Sequence, residues 1–194
     1  MIILASASKT RLQLLRNAGV NPDVVHSPLD ENTAKPSLLG LDPKSLAIKL
    51  AELKAQAVSS LKPSDLVIGA DQTLAFQGHT YNKPSTMEEA FDQLATLQGH
   101  VHFLNSAVAC VANGNTTFAT CQTVKLTMRS LSQASINRYL DDVGTDILSC
   151  VGCYQIEGRG IQLFDAIEGD YFAIMGLPLL PLMGYLRSSG SMES

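Results

Sequence analysis

The stretch that most constrains the fold is Leu66-Val67-Ile68-Gly69-Ala70-Asp71-Gln72-Thr73. Its first half is a short, largely β-branched apolar run, the pattern of a strand buried on both faces. Gly69 lets the backbone bend or come close to another group. Asp71 then falls at the carboxyl end of a core strand, where open α/β sheets place their ligands. The plainer reading is a strand end and a turn, with Gln72 and Thr73 as polar loop residues.

The chain's 194 residues suit one domain or two closely joined lobes. Hydrophobic residues make up 45% and charged residues 16%, a balance that fits an ordinary globular protein. With net charge -4 and no basic stripe, a nucleic-acid partner is not expected. No apolar run approaches the ~18–20 residues of a membrane span, so no membrane partner is expected either. Met1-Ile2-Ile3-Leu4 lacks a basic flank and a cleavage site, reads as a first strand, and leaves a cytoplasmic location as the expectation. Cys150-x-x-Cys153 has no second pair to complete a zinc site. A redox dithiol is the alternative, and buried small thiols are the plain reading for Cys110, Cys121, Cys150 and Cys153.

After the first strand comes Ala5-Ser6-Ala7-Ser8-Lys9-Thr10-Arg11. Ser8 is a good N-cap, Leu12, Leu15 and Ala18 follow at helical spacing, and Gly19 is a stop. Two hydroxyls, the open amides of a helix N-terminus and Arg11 converge there, as in a phosphate site. A simple serine cap with solvated basic residues is the plainer alternative. Residues 20–25 read as a second strand and 26–41 as a long loop holding the acid pair Asp30 and Glu31. Asp42-Pro43 places an N-cap and Pro at N1 of a helix running to about Leu61. Leu46, Leu50, Leu53 and Ala57 mark its expected buried stripe, and Ala47, Ala51, Lys54 and Val58 the adjoining one. Lys54 either snorkels or reaches a phosphate.

Lys83-Pro84 precedes overlapping capping boxes, Ser85-x-x-Glu88 and Thr86-x-x-Glu89, that open a helix facing inward with Ala90, Phe91, Leu94 and Leu97. Residues 101–111 and 116–128 read as a hairpin around Asn113-Gly114, with Cys110 and Cys121 near opposite positions. A helix is expected over 132–143. The glycine-rich stretch 150–160 carries Glu157 and Arg159 but no phosphate-loop lysine. Residues 161–167 and 171–175 are expected to pair as a second hairpin, followed by a final helix and a disordered tail over 188–194.

These pieces resemble the Maf (septum-formation) family of nucleoside triphosphate pyrophosphatases. The resemblance runs from Ile3 to about Arg187. It rests on Leu4-Ala5-Ser6-Ala7-Ser8, Arg11, Lys54-Ala55, Ile68-Gly69-Ala70-Asp71, Lys83-Pro84, Gly99 and His102, Gly152 through Gly160, Gly169-Asp170-Tyr171 and Gly176-Leu177-Pro178. It implies an α/β fold with a mixed twisted sheet and flanking helices, a single domain over 1–187 with two lobes around a central cleft. It also implies hydrolysis between the α and β phosphates of a triphosphate, in a house-cleaning role, and leaves a homodimer open. By the family pattern Asp71 is the proton acceptor, and Ser6, Ser8, Arg11, Lys54 and Lys83 line the phosphates. Glu31, Asp30 and Asp71 would face a divalent cation, Mg²⁺ or Mn²⁺; Asp71 serves as base, as metal ligand, or as both. Thr10, Gln72 and Glu157 sit at the positions that vary with substrate. Gln72 and Glu157 resemble the 7-methyl-GTP branch, whereas Thr10 departs from the aromatic residue usual there. A carboxylate at 157 suits the donors of a guanine edge.

Overall fold

The computed structural model of the chain describes residues 1–30, 34 and 38–192. β1 (Ile2–Ala5) leads into α1 (Lys9–Asn17), where the Ser8 hydroxyl accepts from the Arg11 N–H and satisfies an open donor of the first turn. β2 (Asp23–Val24) is shorter than the strand expected over 20–25, because Pro22 has no N–H to give to a ladder. α2 (Pro43–Ser59) begins where Asp42-Pro43 predicts, with the Asp42 carboxylate accepting from the N–H groups of Lys44 and Ser45. β3 (Leu66–Phe76) turns at Gln77-Gly78 into β4 (His79–Tyr81). In α3 (Met87–Leu97) Thr86 caps the Glu89 N–H, and the Glu89 carboxylate reaches back to the Ser85 N–H and hydroxyl. β5 (Val101–Ala112) and β6 (Asn115–Met128) are joined at Asn113-Gly114, both at positive φ as a tight hairpin turn requires. α4 (Gln133–Val143) is capped by Ser132. Short 3₁₀ segments, Gly144–Ser149 and Arg159–Leu163, flank the glycine-rich loop. β7 (Phe164–Glu168), α5 (Tyr171–Ile174) and α6 (Leu179–Ser188) follow.

Among the described residues seven strands form one mixed sheet, ordered β2-β1-β3-β5-β6-β7 with β4 beside β3. β1 is parallel to β2 and β3, and the other pairs are antiparallel. This is the mixed α/β sheet with flanking helices that the sequence predicts. α1 and α6 pack on one end of one face, through Leu4, Leu15, Ile68, Val108 and Leu182. The other end of that face carries a second apolar cluster, built by α3, α4 and the glycine-rich loop over Leu74, Leu104, Leu126 and Tyr154. α2 lies on the opposite face, over Val67, Ala107 and Ala109. No helix among the described residues is long and apolar enough to cross a membrane.

Four expectations are corrected. Asp71 is not at a strand end: β3 runs five residues past it, because β5 pairs with β3 from Val67 through Ala75. The buried face of α2 is Ala47, Leu50, Ala51, Ala55 and Val58, while Leu46, Leu53 and Ala57 are only half-buried. Small residues win that face because the helix rides directly on Gly69. A Cβ there would be driven into the Ala51 carbonyl oxygen and lie 2.9 Å from the Ala55 Cβ. Residues 171–175 do not form a strand; Asp170 accepts from the Ala173 N–H and caps the short α5, and β7 pairs with β6 instead. Cys110 lies opposite Phe118 and Cys121 opposite Ala107, because the tight turn at Asn113-Gly114 pairs Ala112 with Asn115 and the shift at Cys110/Val111 moves the ladder by only one residue. All four cysteines are free thiols.

His102 is fully buried on β5. Its Nε2 lies 2.8 Å from the Tyr154 hydroxyl, and its Nδ1 has no partner among the described residues. Burial pulls the imidazole from 6.5 down to about 4. The folded chain therefore holds His102 neutral while the unfolded chain protonates it below pH 6.5. Stability from this group is complete above pH 6.5 and is lost as pH falls toward 4, a loss on the order of 3 kcal/mol. Melting curves between pH 7 and pH 4 should show a steeper fall for the native chain than for His102→Phe; parallel curves would refute this origin.

Candidate active site

The candidate site begins at a gap in the sheet. β1 pairs with β3 as far as Ala5 and Gly69, and β4 pairs with the same edge of β3 only from Leu74. Between them, among the described residues, Ala70 to Thr73 have no strand on that edge. The turn through Ser6 and Ser8 and the first turn of α1 close this window. The Ser6 hydroxyl accepts from the Ser8 N–H (3.2 Å) and from Arg11 Nη1 (3.3 Å). Arg11 Nη1 also donates to the Ala70 carbonyl at 2.9 Å, and its Nε donates to the Gly176 carbonyl at 2.8 Å. Arg11 thus ties α1 to the strand residue before Asp71 and to the turn between α5 and α6.

Asp71 points toward the α2 face, where Lys54 Nζ donates to its Oδ1 at 2.5 Å. The side chains are only 10% and 15% exposed, so the pair is poorly screened by water. Lys54 reaches Asp71 because helix side chains lean toward the N-terminus, and α2 runs with that end toward Thr73, whose hydroxyl donates to the Pro43 carbonyl at 2.8 Å. Lys54 thus forms an ion pair with the strand carboxylate.

The neighbouring Gln72 points to the opposite face, as strand alternation demands. Its Nε2 donates to Ser106 Oγ and to the Ala173 and Ile174 carbonyls, at 2.8, 3.0 and 3.0 Å. Gln72 therefore holds α5 to the sheet. Thr10 is half-buried in α1, and Glu157 is exposed on the loop after Tyr154. Arg159, beside it, pairs with Asp142. Lys83 is exposed beyond β4 and lines a cavity of about 400 Å³ with His79, Tyr81, Asp92 and Gln93. A larger cavity, about 690 Å³, lies at the other end of the strands by Met1, Asp65 and Asn113 and holds none of the candidate residues. Asp30 is exposed, and Glu31 lies outside the described residues.

Ser6, Ser8 and Arg11 are thus brought together at the strand edge by Ala70, and Lys54 and Asp71 pair on the α2 face at the next strand residue. Thr73, Asn105 and Ser106 were not singled out from the sequence, although a buried Asn105-Ser106 pair inside an apolar strand run was a visible signal. No cluster of three or more His, Cys, Asp or Glu side chains able to hold a metal occurs among the described residues.

The fold is thus a mixed α/β sheet with a shielded carboxylate–ammonium pair between β3 and α2 and a serine-capped helix N-terminus at the edge of the same strand. The Maf family model, described as Maf-like protein, matches residues 1–189, and the chain belongs to the Maf family. A relative named nucleoside triphosphate pyrophosphatase, from Rhodopseudomonas palustris (strain BisB18), is 47% identical over 96% of this chain and 92% of its own. One named 7-methyl-GTP pyrophosphatase, from Mesorhizobium japonicum, is 45% identical over 99% of this chain and 98% of its own. Among solved structures, a HAM1 protein from Coxiella burnetii overlaps 66% of this chain and 72% of that chain, at 16% identity and a TM-score of 0.42.

Proposed function

We propose that this chain is a nucleoside triphosphate pyrophosphatase, cleaving the α–β phosphate bond to give a monophosphate and pyrophosphate. The observation that carries the reading is the Asp71–Lys54 pair at the open window beside Ser6, Ser8 and Arg11. Family membership and near-full-length identity to pyrophosphatases support it. In this reading Asp71 takes the proton of the attacking water. Lys54, Arg11 and Lys83 offset the phosphate charge, which matters most where it builds up in the transition state. The hydroxyls of Ser6 and Ser8 accept in the bonds described, and their O–H groups would donate to phosphate oxygens.

The reading calls for a divalent cation, toward which the described residues offer the carboxylates of Asp71 and the exposed Asp30. Mg²⁺ keeps several waters and takes one or two carboxylates together with substrate phosphates, so a full protein cage is not required. Asp71, with Asp30 and Glu31 from the preceding loop, would hold Mg²⁺ or Mn²⁺. Bound there, the ion would neutralise charge on the phosphoryl oxygens.

For substrate, we favour 7-methyl-GTP or another modified nucleotide, with Glu157 accepting from the base. The tether from Gln72 to α5 supports an indirect role for that residue, through the turn that also supplies the Gly176 carbonyl to Arg11. The two apolar clusters on one face of the sheet are the basis for reading two lobes. The test is product analysis with Mg²⁺ on GTP, 7-methyl-GTP, UTP, CTP and dTTP. Monophosphate and pyrophosphate from 7-methyl-GTP is the expected result. Preference for dTTP or UTP would keep the enzyme class and overturn the substrate. Binding with no turnover of any triphosphate would favour a nucleotide-binding regulator of septum formation.

A further inference from the structure

The pair Cys150 and Cys153 takes no part in the chemistry above, yet it is built asymmetrically. The two residues close a tight turn, with the Cys153 N–H donating to the Cys150 carbonyl at 3.4 Å. Gly152 stands at φ 82° inside it, and a Cβ there would meet Leu74 Cδ1 at 2.6 Å and the Tyr154 ring at 2.7 Å. Cys153 itself sits at φ 63°, a region costly for a residue with a side chain and populated where the surroundings enforce it. Cys150 is half-buried and Cys153 fully buried.

Their sulfur atoms meet opposite chemistry. Gln155 Nε2 donates to Cys150 Sγ at 3.4 Å. Cys153 S–H donates to Gln93 Oε1 at 3.4 Å, a contact that favours the thiol. Cys153 is fully buried, which also pushes its thiol up to about 12, whereas Cys150 is half-buried, so an oxidant from solvent meets Cys150 first. Gln93 does not end there. Its Nε2 donates to the Asn82 carbonyl at 2.8 Å, immediately before Lys83. One glutamine therefore joins the dithiol turn to the lysine segment beyond β4.

We propose that Cys150 and Cys153 form a peroxide-oxidised dithiol that tunes the Lys83 segment. The Cys150 thiolate attacks a peroxide oxygen, forming an S–O bond, breaking the O–O bond and releasing hydroxide, which takes up a proton as water. The Cys153 sulfur then attacks Cys150 Sγ, forming the S–S bond and expelling the sulfenic oxygen, which leaves as a second water with the Cys153 proton. Two electrons pass from the thiols to the peroxide, and a reducing thiol returns them. In the disulfide Cys153 has no S–H to give, so Gln93 loses one of its two anchors and the Asn82–Lys83 segment loosens.

The consequence for turnover rests on the pyrophosphatase reading, whereas the thiol chemistry does not. The experiment treats the reduced full chain with hydrogen peroxide, counts thiols, maps disulfides by mass spectrometry without reduction, and measures kcat and KM for a triphosphate. Two of the four thiols should disappear into one Cys150–Cys153 bond, return with dithiothreitol, and be spared in Cys150→Ser. KM should rise several-fold on oxidation with kcat little changed, and Cys150→Ser should show no such rise. Absence of the Cys150–Cys153 bond would overturn the dithiol, and a bond formed with KM unmoved would overturn its link to Lys83. Were no triphosphate turned over by the reduced chain, the pyrophosphatase reading would fall while the thiol count and the map still decided the dithiol.

Discussion

Asp71→Asn is expected to lower kcat for triphosphate hydrolysis by about 10²–10⁴-fold, the range that a positioned general base contributes. The substitution keeps the shape of the side chain and removes its negative charge and its basicity together. KM should not rise. The site loses an anion that opposes the substrate, and Lys54, now relieved of its partner at 2.5 Å, has one more donor for phosphate. That split separates chemistry from binding. A melting curve is the control, because leaving Lys54 without its shielded partner costs stability as well. A kcat within a few-fold of the native value, in a folded variant, would remove Asp71 from the base role. Loss of binding with kcat intact would make Asp71 a ligand holder instead.

Gly69→Ala is expected to destabilise the fold by about 3 kcal/mol, toward the upper end of what overpacking costs. The added methyl has nowhere to go. Its neighbours are the Ala51 carbonyl oxygen and the Ala55 backbone and Cβ, so either α2 lifts off β3 or the strand bows. Both movements carry Lys54 away from Asp71, so activity should fall even in the fraction that stays folded. Urea titration gives the stability and initial rates the activity. A change in midpoint under a few tenths of a unit, with rates unchanged, would mean that α2 is held less closely than the contact implies. The same contact explains why the apolar stripe read from leucine spacing was the wrong face. Leucine marks burial where there is room for it, and the closest approach of a helix to a sheet selects alanine instead.

What the sequence made legible was local. Ser8, Asp42, Thr86 and Ser132 each cap the helix they precede, and Asn113-Gly114 turns the hairpin it predicts, because these signals act within four residues of themselves. What it concealed was set by partners far along the chain. Asp71 lies mid-strand because β5 extends β3, which no residue near 71 announces. Cys110 and Cys121 are kept out of register by the tight turn that pairs Ala112 with Asn115, and the later one-residue shift does not bring them opposite. Tyr171 and Phe172 have the composition of a strand, and Asp170 as a cap overrode it. Gln72, placed by the resemblance at a position that varies with substrate, gives its amide to carbonyls about a hundred residues away, a partnership nothing local announces.

The bond from Arg11 to the Gly176 carbonyl spans 165 residues. During synthesis, then, Arg11 and the serine turn leave the ribosome long before the segment that fixes the guanidinium exists. Until α6 arrives, Leu4, Leu15 and Ile68 lack the helix that covers them. A nascent chain of this protein carries its serine turn early but keeps an uncovered apolar patch until α6 has emerged. Contacts of such sequence separation close late and slowly. Chains cut short before Leu179 would therefore be poor templates for the activity and good clients for chaperones.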